Sequence, residues 1–167
     1  MVARKARTIG CGAGFAGDRI EPAVALAASG QVDAVVLECL AERTLVPGLR
    51  ARRTNPEAGA DPRLRRRLTP LLPTAQANRC RIISNLGAAN PAAAARQIAH
   101  LASELHCKDV RVAGVIGDDV LHLRHEIAWE QPIEGDLLGA HAYLGTSGLI
   151  EAIEAGADVV VTASLST

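Results

Sequence analysis

LAASGQVDAVVLE, residues 26–38, passes from an alanine-rich segment through Gly30 and Asp33 into an apolar run. Glycine is the residue that most readily takes the left-handed conformation just past a helix end. Gly30 therefore closes a short helix predicted over residues 22–29, and residues 33–39 follow as a strand. Residues 34–37 are apolar at every position, which suits a strand buried on both faces and not one with a wetted side. Residues 152–162, AIEAGADVVVT, repeat the arrangement: helix end, glycine, aspartate, buried strand. This is one αβ unit used twice and not a solenoid repeat.

The same alternation fills the rest of the chain. Residues 7–11 read as a strand leading into a glycine-rich turn, 41–53 as a helix and 56–61 as a loop. Asp61 and Pro62 open another helix with Leu64, Leu68 and Leu71 on one face, which Pro70 and Pro73 are expected to bend or end. Residues 81–84 form a strand. Asn90 and Pro91 start the clearest helix, over 91–105. Asparagine is a preferred N-cap, and proline suits the first helical position because its missing N–H would have no partner there. Ala94, Ile98, Leu101 and Leu105 share one stripe of that helix. Residues 110–116 read as a strand that exits into GDD, and 118–139 as mostly irregular, with Pro132 and Gly135 as breakers. Residues 146–155 are a helix closed by Gly156, and 157–163 are the last strand.

Strands that alternate with helices and are apolar on both faces imply a parallel sheet covered on both sides. The expected class is α/β: three layers, a mainly parallel sheet with helices on both faces, Rossmann-like. A closed barrel is the alternative. The length of 167 residues fits a single domain or a piece of a larger one. In a piece of a larger unit, residues 157–163, low in charge and high in β-propensity, are expected to form an open sheet edge. That predicts a homo-oligomer or a partner chain.

Apolar residues make up 49% of the chain but are mostly small, and the only aromatics are Phe15, Trp129 and Tyr143. So thin an aromatic content excludes a stacking platform for single-stranded nucleic acid. Eighteen basic residues balance eighteen acidic ones, so no global field draws nucleic acid or a membrane surface. No apolar stretch has the length of a transmembrane helix. Cys11, Cys39, Cys80 and Cys107 are widely spaced without a C-x-x-C, which fits a reducing cytoplasm and small buried side chains.

Chemistry collects where strands end. The first strand is followed by GAGFAGD, holding Gly12, Gly14, Gly17 and Asp18; the second by Glu38, Glu42 and Arg43. The third leads into SNLGAANP, with Asn85, Gly87 and Asn90, the fourth into Gly117, Asp118 and Asp119, and the fifth into Thr162 and Ser164. In a parallel sheet these exits share one edge, where ligands bind. Gly12, Gly14 and Gly17 also match G-x-G-x-x-G, and Glu38 stands near the distance of a ribose-binding acid. An NAD(P)-binding oxidoreductase domain is therefore an alternative. Two features oppose it: a helix begun within the glycines would enclose Pro22, and Asp18 would face the pyrophosphate. His122 and His125 share an H-x-x-H spacing without an evident third ligand. The run Arg63, Arg65, Arg66 and Arg67 reads as a solvated helix face, with a phosphate-bearing ligand as its alternative.

GAGFAGDRIEPA, DAVVLECLAERT, RIISNLGAANPAAA, VIGDD, AYLG and GADVVVT, in this order, resemble the N-terminal part of the acyclic terpene utilisation family. The resemblance spans about residues 7–162. It implies a bacterial context in the catabolism of citronellol- and geraniol-type compounds through acyl-CoA intermediates, and no particular reaction. It marks Gly14, Gly17, Asp18, Glu38, Glu42, Arg43, Asn85, Gly87, Asn90, Gly117, Asp118, Asp119 and Tyr143 as family-like positions. It also implies a longer architecture, of which this chain is the N-terminal part. His141 stands where the family pattern has asparagine.

The combined expectation is a rim that binds a small carboxylate or acyl thioester. Gly12 to Gly17 and the helix opened by Asn90 offer backbone N–H groups to an anionic oxygen. Asn85 adds its amide, and Arg43 and Tyr143 complete the binding set. Asp118 or Asp119 serves as general base or holds a divalent cation, with Glu38 as the second acid. An enzyme is favoured over a non-catalytic scaffold or partner subunit. In the bland alternative, Asp119 and Glu42 cap helices and Asn85 satisfies loop backbone.

Overall fold

The computed structural model describes residues 7–130 and 135–163; Pro132 and Ser164 lie outside them. Its strands are β1 (Ile9–Ala13), β2 (Ala34–Leu37), β3 (Arg81–Ser84), β4 (Val112–Gly114) and β5 (Val159–Val161). Its helices are α1 (Glu21–Ala28), α2 (Glu42–Thr54), α3 (Leu64–Ala77), α4 (Pro91–Glu104) and α5 (Ser147–Glu154). The strands form one open sheet in the order β1-β2-β3-β5-β4, with every pairing parallel. The fold is the expected α/β class, without the barrel.

Handedness sets the layers. Crossovers between parallel strands are right-handed. The chain moves in one direction across the sheet from β1 to β2, β3 and β4, so the intervening helices fall on one face. Ala23, Ala27, Leu68, Leu71, Leu72, Ala94, Ile98 and Leu101 accordingly pack with Val35, Leu37, Ile82, Val159 and Val161. The step from β4 back to β5 reverses direction and sends α5 to the other face. There Val115, Ala157 and Val160 pack with Leu149, Ala152 and Ile153. Helices thus cover both faces, unequally. On the second face of β1 to β3, Ile9 is 65% exposed, Cys11 is exposed, and Val36 and Ile83 are half-buried.

The backward step corrects one expectation. β5 lies between β3 and β4 with all three valines buried, so residues 157–163 are not a sheet edge. The edges are β1 and β4. A second correction concerns α3, which runs through Pro70 and Pro73 for 14 residues. An internal proline costs about 3 kcal/mol. Leu64, Leu68, Leu71 and Leu72 are all buried in this helix, and each contributes about 2 kcal/mol on burial. The apolar stripe therefore outweighs the breakers.

The repeated unit has one purpose in both copies. Gly30 and Gly156 adopt φ of +66° and +84°. Asp33 then accepts the Thr8 N–H at 2.8 Å, and Asp158 accepts the Arg111 N–H at 2.9 Å. Each aspartate on an inner strand fastens the start of an edge strand. Arg79 and His106 take the same left-handed place after α3 and α4, at φ of 53° and 56°.

Helix α2 belongs to neither face. It has no buried residue. It lies over the strand exits, with Gly48 against Gly59 and Ala89, Leu49 against Gly139, and Arg52 Nη1 donating to the Ala89 carbonyl at 3.0 Å.

Candidate functional site

Parallel pairing puts the exits of all five strands on one edge of the sheet. Within such an edge, ligands bind where neighbouring connections leave toward opposite faces. The chain leaving β3 goes to α4 on one face, and the chain leaving β4 goes to α5 on the other. The topology therefore places the expected ligand crevice between them, over the exit of β5. Thr162 at this exit is buried, with Oγ1 donating to the Ala163 carbonyl at 2.7 Å and its own carbonyl accepting from Gly87 N at 3.0 Å.

The acid loop borders this crevice. Gly117, at φ of +114°, turns the chain out of β4. Val120 N donates to the Ala140 carbonyl and Ala142 N to the Asp118 carbonyl, both at 2.8 Å. This clamp brings in His141, which the sequence analysis did not assign to the site. His141 Nδ1 lies 2.7 Å from Asp118 Oδ2. Opposite an ionised carboxylate, which only accepts, Nδ1 is the donor. The Asp118 side chain is 5% exposed and that of His141 9%, and His141 Nε2 is buried without a hydrogen-bond partner. Asp119 is spent differently. Its Oδ2 pairs with Arg52 Nη1 at 3.0 Å and its Oδ1 accepts from Leu121 N at 3.2 Å. Through Arg52, which also holds the Ala89 carbonyl, the acid loop is tied to the start of α4.

The amide loops are largely occupied by their own structure. Asn85 Oδ1 accepts from Cys39 N at 2.7 Å and Nδ2 donates to Glu38 Oε1 at 2.8 Å. Asn90 caps α4 by accepting from Ala93 N, while its Nδ2 donates to the Pro56 and Ala58 carbonyls. The Asn90 side chain is thus spent on the fold, and it occupies one N–H of the α4 N-terminus. Gly87 does not serve a left-handed turn: Ala88 carries the positive φ of 46°. A Cβ on Gly87 would stand 2.4 Å from the Thr162 carbonyl oxygen, so glycine is required by close packing over β5. Gly12 is packed inside the fold in the same way, against Val35, Ala23 and Leu37. Gly14 is open, and its N–H is taken by Asp18 Oδ2 at 2.9 Å. Gly17 adjoins the Phe15 ring. Arg43 and Tyr143 are exposed.

Strands in a sheet are about 4.8 Å apart, so the ends of β3 and β4, two strands apart, are separated by roughly 10 Å, and those of β2 and β4 by roughly 14 Å. Among the described residues no three His, Cys, Asp or Glu are arranged to hold a metal ion. Helix α1 starts at Glu21, with Pro22 in its first turn, after the glycine run has ended. With Gly14 N already taken by Asp18, the run lacks the form of a dinucleotide cradle. A cleft of about 410 Å³ opens at the opposite edge of the sheet among Arg7, Arg79, Arg81, Asp109 and Asp158. Two of its polar groups serve the fold: Asp158 holds Arg111 N, and Arg81 Nε donates to the Ala157 carbonyl.

Residues 7–166 match the family model described as acyclic terpene utilisation family protein AtuA. The chain belongs to the acyclic terpene utilisation family. No curated protein and no solved structure gives a significant match. Among the described residues of this family member, no helix is long and apolar enough to cross a membrane.

A further cationic group lies beneath the family-like β1 and β2 exits. Arg65 and Arg66 are exposed as expected of a solvated face, but Arg67 is 3% exposed. It falls on the inward stripe of α3 with Leu64, Leu68 and Leu71. Its Nη2 donates to the Ala16 carbonyl at 2.7 Å, and Arg63 Nη1 donates to the same oxygen. Arg67 Nε and Nη1 are buried without partners. Each such donor costs about 1–3 kcal/mol. Nearby Cys39 is pushed up to about 11 by burial, with Arg67 pulling the other way.

Proposed function

We propose that this acyclic terpene utilisation family member binds a carboxylate or acyl thioester of acyclic terpene or branched-chain acid catabolism in the strand-exit crevice. His141 moves a proton on that ligand. The reading rests on one observation: a nearly buried Asp118–His141 pair whose Nε2 is left without a protein partner. Asp118 fixes the tautomer by accepting from Nδ1, which leaves the Nε2 lone pair for a proton of the ligand. The carboxylate then stabilises the imidazolium that forms. This revises the expected division of labour, because Asp118 orients the base and is not itself the base. Asp119 is the latch for Arg52, and α2, held by that latch and carrying Leu49 over Gly139, is the cover through which the ligand enters. The Glu38–Asn85 pair meets the far end of an extended ligand.

The test compares wild type with His141→Asn and Asp118→Asn. Asparagine at 141 keeps a donor for Asp118 and removes the proton acceptor. Binding of 3-methylbutanoyl-CoA is followed by thermal shift, and exchange of its α-proton in heavy water by mass spectrometry. Retained binding with exchange slowed by about 10²-fold or more is expected for His141→Asn. Exchange at the wild-type rate in His141→Asn means that His141 is not the base.

A further inference from the structure

A buried guanidinium normally finds a carboxylate, and Arg67 has none. None of the neighbouring acids accepts from it: Asp61 Oδ1 accepts from Arg63 N, Asp18 Oδ2 from Gly14 N, and Glu38 Oε1 from Asn85 Nδ2 and Leu40 N. Burying a guanidinium without acceptors for its N–H groups is unfavourable, and Arg67 Nε and Nη1 have room for an anion that contacts them directly. The Ala16 carbonyl, gripped by Arg63 and Arg67 together, occupies the place of one anionic oxygen. It belongs to the loop of residues 14–18, whose other members are exposed. A cleft of about 390 Å³ lined by Gly14, Gly17 and Asp18 opens beside that loop.

We propose that Arg67 and Arg63 form an anion subsite under the β1–α1 loop, which takes a ligand carboxylate or phosphate oxygen in place of the Ala16 carbonyl. The loop withdraws as the anion enters, and the unpaired N–H groups on Nε and Nη1 gain acceptors. The class of ligand rests on the reading given under Proposed function, but the subsite does not depend on His141.

The test is thermal unfolding of the whole chain at fixed ionic strength, titrated separately with 3-methylbutanoate and with inorganic phosphate. Wild type, Arg67→Met, Arg67→Lys and His141→Asn are compared. At least one anion is expected to raise the wild-type melting temperature. A rise with 3-methylbutanoate alone assigns the subsite to a carboxylate, and a rise with phosphate alone to the phosphate end of a thioester carrier. Arg67→Met, freed of an unpaired charge, is expected to melt above wild type without anion and to lose the rise. Arg67→Lys keeps part of it and His141→Asn keeps all of it, which separates this subsite from the proton-transfer reading. If Arg67→Met does not fold, the exposed Arg63→Met carries the comparison, with half-saturation weakened by about tenfold. No rise in wild type with either anion, or a rise that Arg67→Met or its substitute Arg63→Met retains in full, overturns the proposal.

Discussion

Gly87 and Gly14 show how one residue type serves opposite ends. In the sequence both sit in loops after strands, on the rim where a ligand is expected. In the structure a Cβ at 87 would press on the Thr162 carbonyl and on Pro91, whereas one at 14 meets nothing within 4 Å. Both obstacles at 87 include backbone, which cannot rotate away. Gly87→Ala is therefore expected to destabilise the fold by about 3 kcal/mol, and Gly14→Ala by no more than about 0.5 kcal/mol. Urea midpoints would decide this, and equal values would refute the packing account. The residues missed in the sequence were missed for physical reasons. His141 meets Asp118 across 23 positions, through a backbone clamp that no local pattern announces. Arg67 did carry a signal, since it stands three residues after Leu64 on the apolar stripe, but its arginine neighbours masked it.

At the scale of elements, hydrophobic period and turn residues carried most of the information. Gly30 and Gly156 marked two helix ends, and both take the left-handed conformation. Arg79 and His106 take it too, without any residue preference to reveal them, because the tertiary connection fixes the turn. The aspartates of the repeated unit were legible as a pattern but not as a mechanism. Asp158 supplies the acceptor for Arg111 N at the start of β4, an edge strand with one neighbour. Removing that acceptor leaves the donor to water at a strand that has no second ladder. Asp158→Ala is expected to cost about 1–2 kcal/mol, with Asp158→Asn recovering part of it. A lowered denaturation midpoint at unchanged m-value would fit. No change in either variant would mean that the strand start is held by other contacts.

For the whole molecule, the order of strands follows from where the chain reverses. Strand–helix alternation and doubly buried strands made the α/β class readable, but neither says which strand is inserted between two others. The reversal after β4 makes β5 interior, sets the two diverging connections on either side of Thr162 and leaves α5 as the described helix on the second face. It also divides the stability. The larger core joins α1, α3 and α4 to β2, β3 and β5. The smaller one holds Val115, Ala157 and Val160, and α5 itself has no buried residue. Regions with few buried apolar contacts open without global unfolding. Native-state hydrogen exchange is therefore expected to proceed early in Ser147–Glu154 and in Glu42–Thr54, the helix that lies over the crevice. Exchange in Arg81–Ser84 and Pro91–Glu104 is expected only on the timescale of global unfolding. The proposed entry of ligand under α2 requires that ordering, because a cover must open while the strand exits beneath it stay folded. Exchange at one uniform rate across these four segments would show a single cooperative unit, and α2 could not then act as the cover.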